Sequence, residues 1–153
     1  MVSRLFPLGI NIAFEQRPYK LGETIHVTVK LVPRRDIRVQ EVRVDLVCET
    51  RRIEVPTVQV RPLPSGLPAA VPTSSAHKRV SETYTDAYVQ GSAVFLQGGR
   101  LLSGRTSRHN VGLKIQPELP TRRSGGMRWR LVTTAEVVGA RHITARRPVN
   151  VAT

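Results

Sequence analysis

A chain of 153 residues is long enough to bury a real core without staples, and one domain is the default expectation for it. Its 24 Lys+Arg against 11 Asp+Glu leave a net charge of +13, a surplus that favours nucleic acid, anionic lipid or acidic protein surfaces through long-range attraction. The single cysteine, Cys48, excludes an intramolecular disulfide and a Cys-rich zinc site. Met1 to Ile12 has neither the apolar run nor the small-residue cleavage site of a signal peptide, and no run of about 18 apolar residues occurs, so a cytoplasmic protein without a transmembrane segment is expected.

In chain order, Ile10 to Phe14 alternates apolar and polar residues and predicts a first strand. Pro18 and Gly22 mark turns, and Ile25 to Leu31 alternates strictly and is rich in β-branched residues, a second strand. Pro33 to Asp36 is a charged turn. The central stretch runs from Ile37 to Glu49: Val42, Val44, Leu46 and Cys48 share one face, while Ile37 and Val39 are out of phase with them. An extra residue at Gln40-Glu41, a β-bulge, returns both halves to the same face. Cys48 falls on that apolar face and is expected to be a buried, inert thiol.

A shorter pattern at Ile53 and Val55, interrupted by Pro56 and resumed at Val58 and Val60, suits an edge strand, because proline cannot donate to a ladder. Residues 61–76, with Pro62, Pro64, Pro68 and Pro72, read as a Pro-rich loop: a tolerated hairpin insertion or a partner-binding lip. Val80 to Gln90 is dense in Thr and Tyr and reads as strand rather than helix. Gly98-Gly99 reads as a turn, Val111 to Ile115 as a strand stopped by Pro117, and Ser124-Gly125-Gly126 as a turn. Trp129, Leu131, Thr133, Ala135 and Val137 then share a face opposite Arg128, Arg130, Thr134 and Glu136. After a turn at Gly139-Ala140, His142 to Val151 closes the chain with Ile143, Ala145, Val149 and Val151 inward. Eight or nine strands and little or no helix predict an all-β, two-sheet antiparallel β-sandwich of arrestin or immunoglobulin-like type.

Several pieces carry a closer likeness: Tyr19-x-Leu21-Gly22-Glu23-x-Ile25-x-Val27, the long bulged strand from Ile37 to Cys48, Val111 to Ile115 followed by Pro117-x-Leu119-Pro120, Trp129-x-Leu131, and the closing strand from Ile143 to Val151. Their order and spacing resemble the amino-terminal domain of the arrestin fold over nearly the whole chain. Leu21 stands where that family's Tyr-x-Pro-Gly-(Glu/Asp) element has proline, and Val111, Leu113 and Ile115 replace its aromatic residues. The resemblance implies one β-sandwich domain over residues 1–153, used as a protein-interaction scaffold, as in arrestins, alpha-arrestins, the arrestin-like retromer subunit and bacterial sporulation-control proteins. With room for one sandwich only, an activation mechanism built on a two-domain clasp is not implied. Arg4, Arg17 and Lys20 lie roughly where arrestins sense phosphate, without a matched motif to carry that role over.

For catalysis the sequence offers no constellation. His26, His77, His109 and His142 lack metal-ligand spacing, Gly98-Gly99 and Gly125-Gly126 precede no helix that would hold phosphate, and neither metal nor cofactor is expected. Asp45, Glu49, Glu118 and Glu136 read as ion-pair partners for the surplus arginines. Trp129 between Arg128 and Arg130 would stack a base if exposed, but its alternation places it in the core. A non-catalytic adaptor that binds another protein along a sheet face or edge strand, or self-associates through such an edge, is the first reading. The alternative is a basic module for nucleic acid or an anionic membrane surface, with Arg128, Arg130, Arg34, Arg35, Arg122 and Arg123 as contacts.

Overall fold

The computed structural model describes residues 6–54, 82–119 and 126–152. The alternating runs become nine strands: β1 (Leu8–Phe14), β2 (Tyr19–Lys20), β3 (Thr24–Pro33), β4 (Ile37–Glu54), β5 (Glu82–Leu101), β6 (Ser107–Lys114), β7 (Met127–Val137), β8 (Ile143–Val149) and β9 (Val151–Ala152). Among the described residues there is no helix. Two antiparallel sheets, ordered β1-β3-β6 and β5-β4-β7-β8, hold the core between them. Ile25, Val27, Val29 and Leu31 of β3 are buried in one cluster with Val42, Val44, Leu46 and Cys48 of β4 and with Trp129 and Leu131 of β7. Each buried aliphatic side chain contributes about 1.5–3 kcal/mol.

The bulge lies where the alternation requires it. Val39 pairs with Val137 and Glu41 with Glu136, so Gln40 is the extra residue against β7, and Val39 and Val42 are both buried. Gly98-Gly99 is not a turn. It continues β5, with Gly99 opposite Val39 and both glycines at positive φ (66° and 140°), a backbone that side-chain-bearing residues resist. The reversal comes instead at Ser103-Gly104. β4 passes unbroken through Arg51-Arg52 to Glu54, so Ile53 extends the central strand. The remainder of the edge-strand pattern (Val55, Val58 and Val60), the Pro-rich loop at 61–76 and most of the turn at 124–126 lie outside the described residues.

β5 carries two further bulges. Its register against β4 shifts between Val42 and Arg43 and between Leu46 and Val47, leaving Phe95 and Gln90 as the extra residues. Both reach towards β6: the Phe95 ring lies 4.9 Å from that of His109, and the carbonyl of Gln90 accepts from Gln116 Nε2 at 3.3 Å. Between them, Gly91 comes so close to β6 that an added Cβ would sit 3.2 Å from the carbonyl oxygen of Lys114. The bulges therefore bend β5 onto β6 and close one side of the sandwich.

The closing segment divides at Asn150, and β9 pairs in parallel with β2. Asn150 accepts from the Tyr19 amide at 2.9 Å, while the buried Tyr19 hydroxyl donates to the Glu15 carbonyl at 2.7 Å. Burial pushes the Tyr19 hydroxyl pKa up. This small parallel sheet caps the lower end of the sandwich. The upper end consists of Phe6-Pro7, the β3–β4 turn, the β5–β6 turn and the β7–β8 turn.

Candidate functional site

Opposite the closed β5–β6 side, β1 ends one sheet and β8 ends the other. A groove of about 260 Å³ separates them, walled by Leu8, Gly9, Ile10 and Asn11 on one lip and Ile143, Thr144 and Ala145 on the other, with Phe6 and Arg34 at its mouth. Arg34 Nη1 donates to the Phe6 carbonyl at 3.3 Å.

The two edges differ in chemistry. Arg34 N donates to the Pro7 carbonyl at 2.8 Å, and the antiparallel register pairs Leu8 with Pro33 and Gly9 with Val32. Positions 7, 9, 11 and 13 are therefore hydrogen-bonded to β3, and the backbone N–H and C=O groups of Leu8, Ile10, Ile12 and Phe14 point to the open edge. No residue of Leu8-Gly9-Ile10-Asn11-Ile12-Ala13-Phe14 is charged, and none is proline. β8 by contrast carries Arg146, Arg147 and Pro148, all exposed, and Arg147 occupies the inward-facing row with Ile143, Ala145 and Val149. Charge and proline on an edge oppose the addition of another strand. One lip is guarded, and the other has no strand paired to it among the described residues.

Of the six arginines expected to contact a polyanion, the four among the described residues do not form one patch. Arg130 is held by Glu49 across β4 and β7, with side chains 32% and 20% exposed. Arg43 likewise gathers Glu41 (3.2 Å), Asp45 (3.3 Å) and Glu136 (3.8 Å), so the outer face of the four-stranded sheet neutralises its own central cations. Arg128 is exposed near the lower end, and Arg34 and Arg35 are exposed at the upper end. Arg122 and Arg123, like Arg4 and His77, lie outside the described residues. Trp129 is only 4% exposed and is a core anchor rather than a stacking platform. Its Nε1–H has no hydrogen-bond acceptor among the described residues.

Arg17, near the lower end, is engaged: it donates to Glu23 at 2.8 Å and Glu15 at 3.2 Å and lies 4.1 Å from the Tyr19 ring centroid. Cys48 is buried, and loss of solvent pushes its thiol pKa up. His26 and His142 are exposed, and His109 packs on Phe95. Among the described residues no group of three or more His, Cys, Asp or Glu side chains is placed to hold a metal ion, and no helix is long and apolar enough to cross a membrane.

No protein-family model matches the chain, and no curated protein sequence matches it. Solved structures do. The crystal structure of the sporulation control protein Spo0M from Bacillus subtilis superposes with a TM-score of 0.68, covering 97% of this chain at 12% sequence identity. The fold is arrestin-like. The chain spans 50% of the length of the Spo0M chain. At that identity the likeness concerns the backbone path alone. This arrestin-like chain sets a β1 edge without charge or proline against a guarded β8 edge and carries exposed arginines at its upper end.

Proposed function

We propose that this chain is a non-catalytic scaffold that receives an extended segment of a partner protein along β1. The observation that carries the reading is the open edge itself: four residues of β1, Leu8, Ile10, Ile12 and Phe14, direct backbone donors and acceptors away from β3, on a strand without charge or proline. A partner strand hydrogen-bonded there extends the three-stranded sheet, and its side chains meet the mixed polar and apolar groove between β1 and β8. Main-chain pairing supplies affinity, and the groove selects what the alternate side chains are. Arg146, Arg147 and Pro148 keep the same segment from pairing with β8 and so fix which edge is used.

The test is recovery of partners by the tagged chain from its own cells, after nuclease and at moderate salt, compared with Ile10→Pro. The Ile10 amide points away from β3, so proline there removes an edge donor without breaking a native ladder bond. Ile10→Lys, which places a charge on the inward row of the edge, is the companion variant if proline strains the strand. Proteins recovered by the wild type and lost by both variants support the reading, provided their urea midpoints stay near that of the wild type. Equal recovery by all three overturns it, and a concentration-dependent dimer abolished by both variants identifies the partner as a second copy.

A further inference from the structure

The upper end of the sandwich gathers charge that the sequence scatters. Three turns far apart in the chain meet there. Ser103 N donates to Asp36 Oδ1 at 2.8 Å, Ser103 Oγ donates to the Arg34 carbonyl at 3.1 Å, and Arg38 O accepts from Val138 N at 2.9 Å. These bonds bring Arg34 and Arg35 beside Arg105 and place them at the same end as Arg141, all four exposed.

Just behind the turns lie two like-charged rungs. Arg38 faces Arg100 across β4 and β5, and Lys30 faces Arg108 across β3 and β6. Like charges directly opposite one another destabilise a sheet, so these pairs cost the fold stability. Among the described residues none of these eight cations makes an ion pair. Asp36 is the one carboxylate within these turns, and it is occupied by the Ser103 amide. The three-stranded sheet as a whole contains no acidic residue, whereas the central cations of the four-stranded sheet are neutralised by its own carboxylates.

Two large apolar side chains stand out of this same end: Phe6 and Val138, each 47% exposed. They decide the class of partner. Phosphates of a duplex gain nothing from an exposed valine, whereas the headgroup region of a bilayer buries such side chains while cations bind its anionic lipids. We infer that the upper end of the sandwich docks on an anionic membrane surface, with the turn arginines on lipid headgroups and Phe6 and Val138 in the interface. The β1 edge runs away from that end, so a docked chain still presents it to a partner. Phe6 and Arg34 also stand at the mouth of the β1–β8 groove, whereas Arg35, Arg105 and Val138 do not line it.

Flotation with phosphatidylcholine vesicles, with and without phosphatidylserine, tests it on the full chain. Binding is expected only with phosphatidylserine. The triple reversal Arg34→Glu, Arg35→Glu, Arg105→Glu lowers affinity by at least about a hundredfold, the loss expected from removing three cations at about 1 kcal/mol each. Phe6→Ser weakens binding severalfold. A charge-matched control at the lower end, Arg51→Glu, Lys114→Glu, Arg128→Glu, retains it to within a few-fold. If the reversal fails to fold, the same three positions as Gln give the same comparison. Equal loss in the control and the upper-end variant means adsorption by net charge and overturns the proposal. So does binding to phosphatidylcholine alone, or duplex DNA bound as tightly as the vesicles with no effect of Phe6→Ser.

Discussion

Arg130 donates to the carboxylate of Glu49 across the β4–β7 ladder, and both side chains are more than half removed from solvent. An arginine so held stabilises the sheet and is not spare for an anion. Arg130→Ala should therefore cost about 1–2 kcal/mol, because it leaves a half-buried carboxylate without its donor. Arg128→Ala, one residue away and exposed, should cost under about 0.5 kcal/mol. Urea unfolding of both, with Glu49→Gln closing a double-mutant cycle, measures the difference. Charge reversal at both arginines together would thus report on stability as much as on binding.

Deletion of Gln40 removes the residue that brings Ile37 and Val39 back into phase with Val42. Both side chains, 6% and 1% exposed, would turn to solvent or drag the strand out of register. The expected loss is about 3–6 kcal/mol, from two aliphatic side chains. Gln40→Ala keeps the bulge and should cost little. Circular dichroism melts of the two variants distinguish the role of the extra residue from that of its side chain.

Trp129 supplies bulk to the core, and its N–H meets no acceptor among the described residues. Trp129→Phe gives up apolar area but also removes a buried donor without an acceptor, so it should cost about 1–2 kcal/mol, against about 3–5 kcal/mol for Trp129→Ala. As the only tryptophan, it should also emit at short wavelength in the folded chain and shift red on unfolding.

The hydrogen bond from Arg17 holds the Glu23 carboxyl below the usual glutamate range, helped by the Lys20 amide. A group whose pKa is lowered by folding adds stability above its unfolded value, about 4.3, and loses it as pH falls through the folded value. The wild type should therefore lose more stability than Glu23→Gln between about pH 7 and about pH 3. Urea midpoints at the two pH values check the sign, and an equal loss in both chains would place the acid sensitivity elsewhere.

Much of the sandwich was legible because its signals are local. Period-two alternation placed β1, β3, β4, β6 and β7, and the phase break at Gln40 located the bulge. Gly98-Gly99 was misleading, because positive φ demanded by a bulged partner strand and positive φ demanded by a turn leave the same mark in a sequence. The site was less legible because it depends on which strands are neighbours. Arg128 and Arg130 were rightly placed on the outer face, but that Arg130 meets Glu49 follows from the β4–β7 register. Arg34-Arg35 stood out as a pair, whereas their proximity to Arg105 arises from hydrogen bonds between turns some 67 residues apart. The openness of β1 follows from strand order, since nothing within Leu8–Phe14 says that it lies at an edge.

The most direct measurement of strand addition is amide hydrogen exchange of the chain alone and with a partner recovered through it. Free, the amides of Leu8, Ile10, Ile12 and Phe14 should exchange quickly, while those of Gly9, Asn11 and Ala13 are protected by β3. Bound, the first four should become protected and the other three should change little. Protection confined to the outer face of either sheet, with the four edge amides still exchanging freely, would contradict the account.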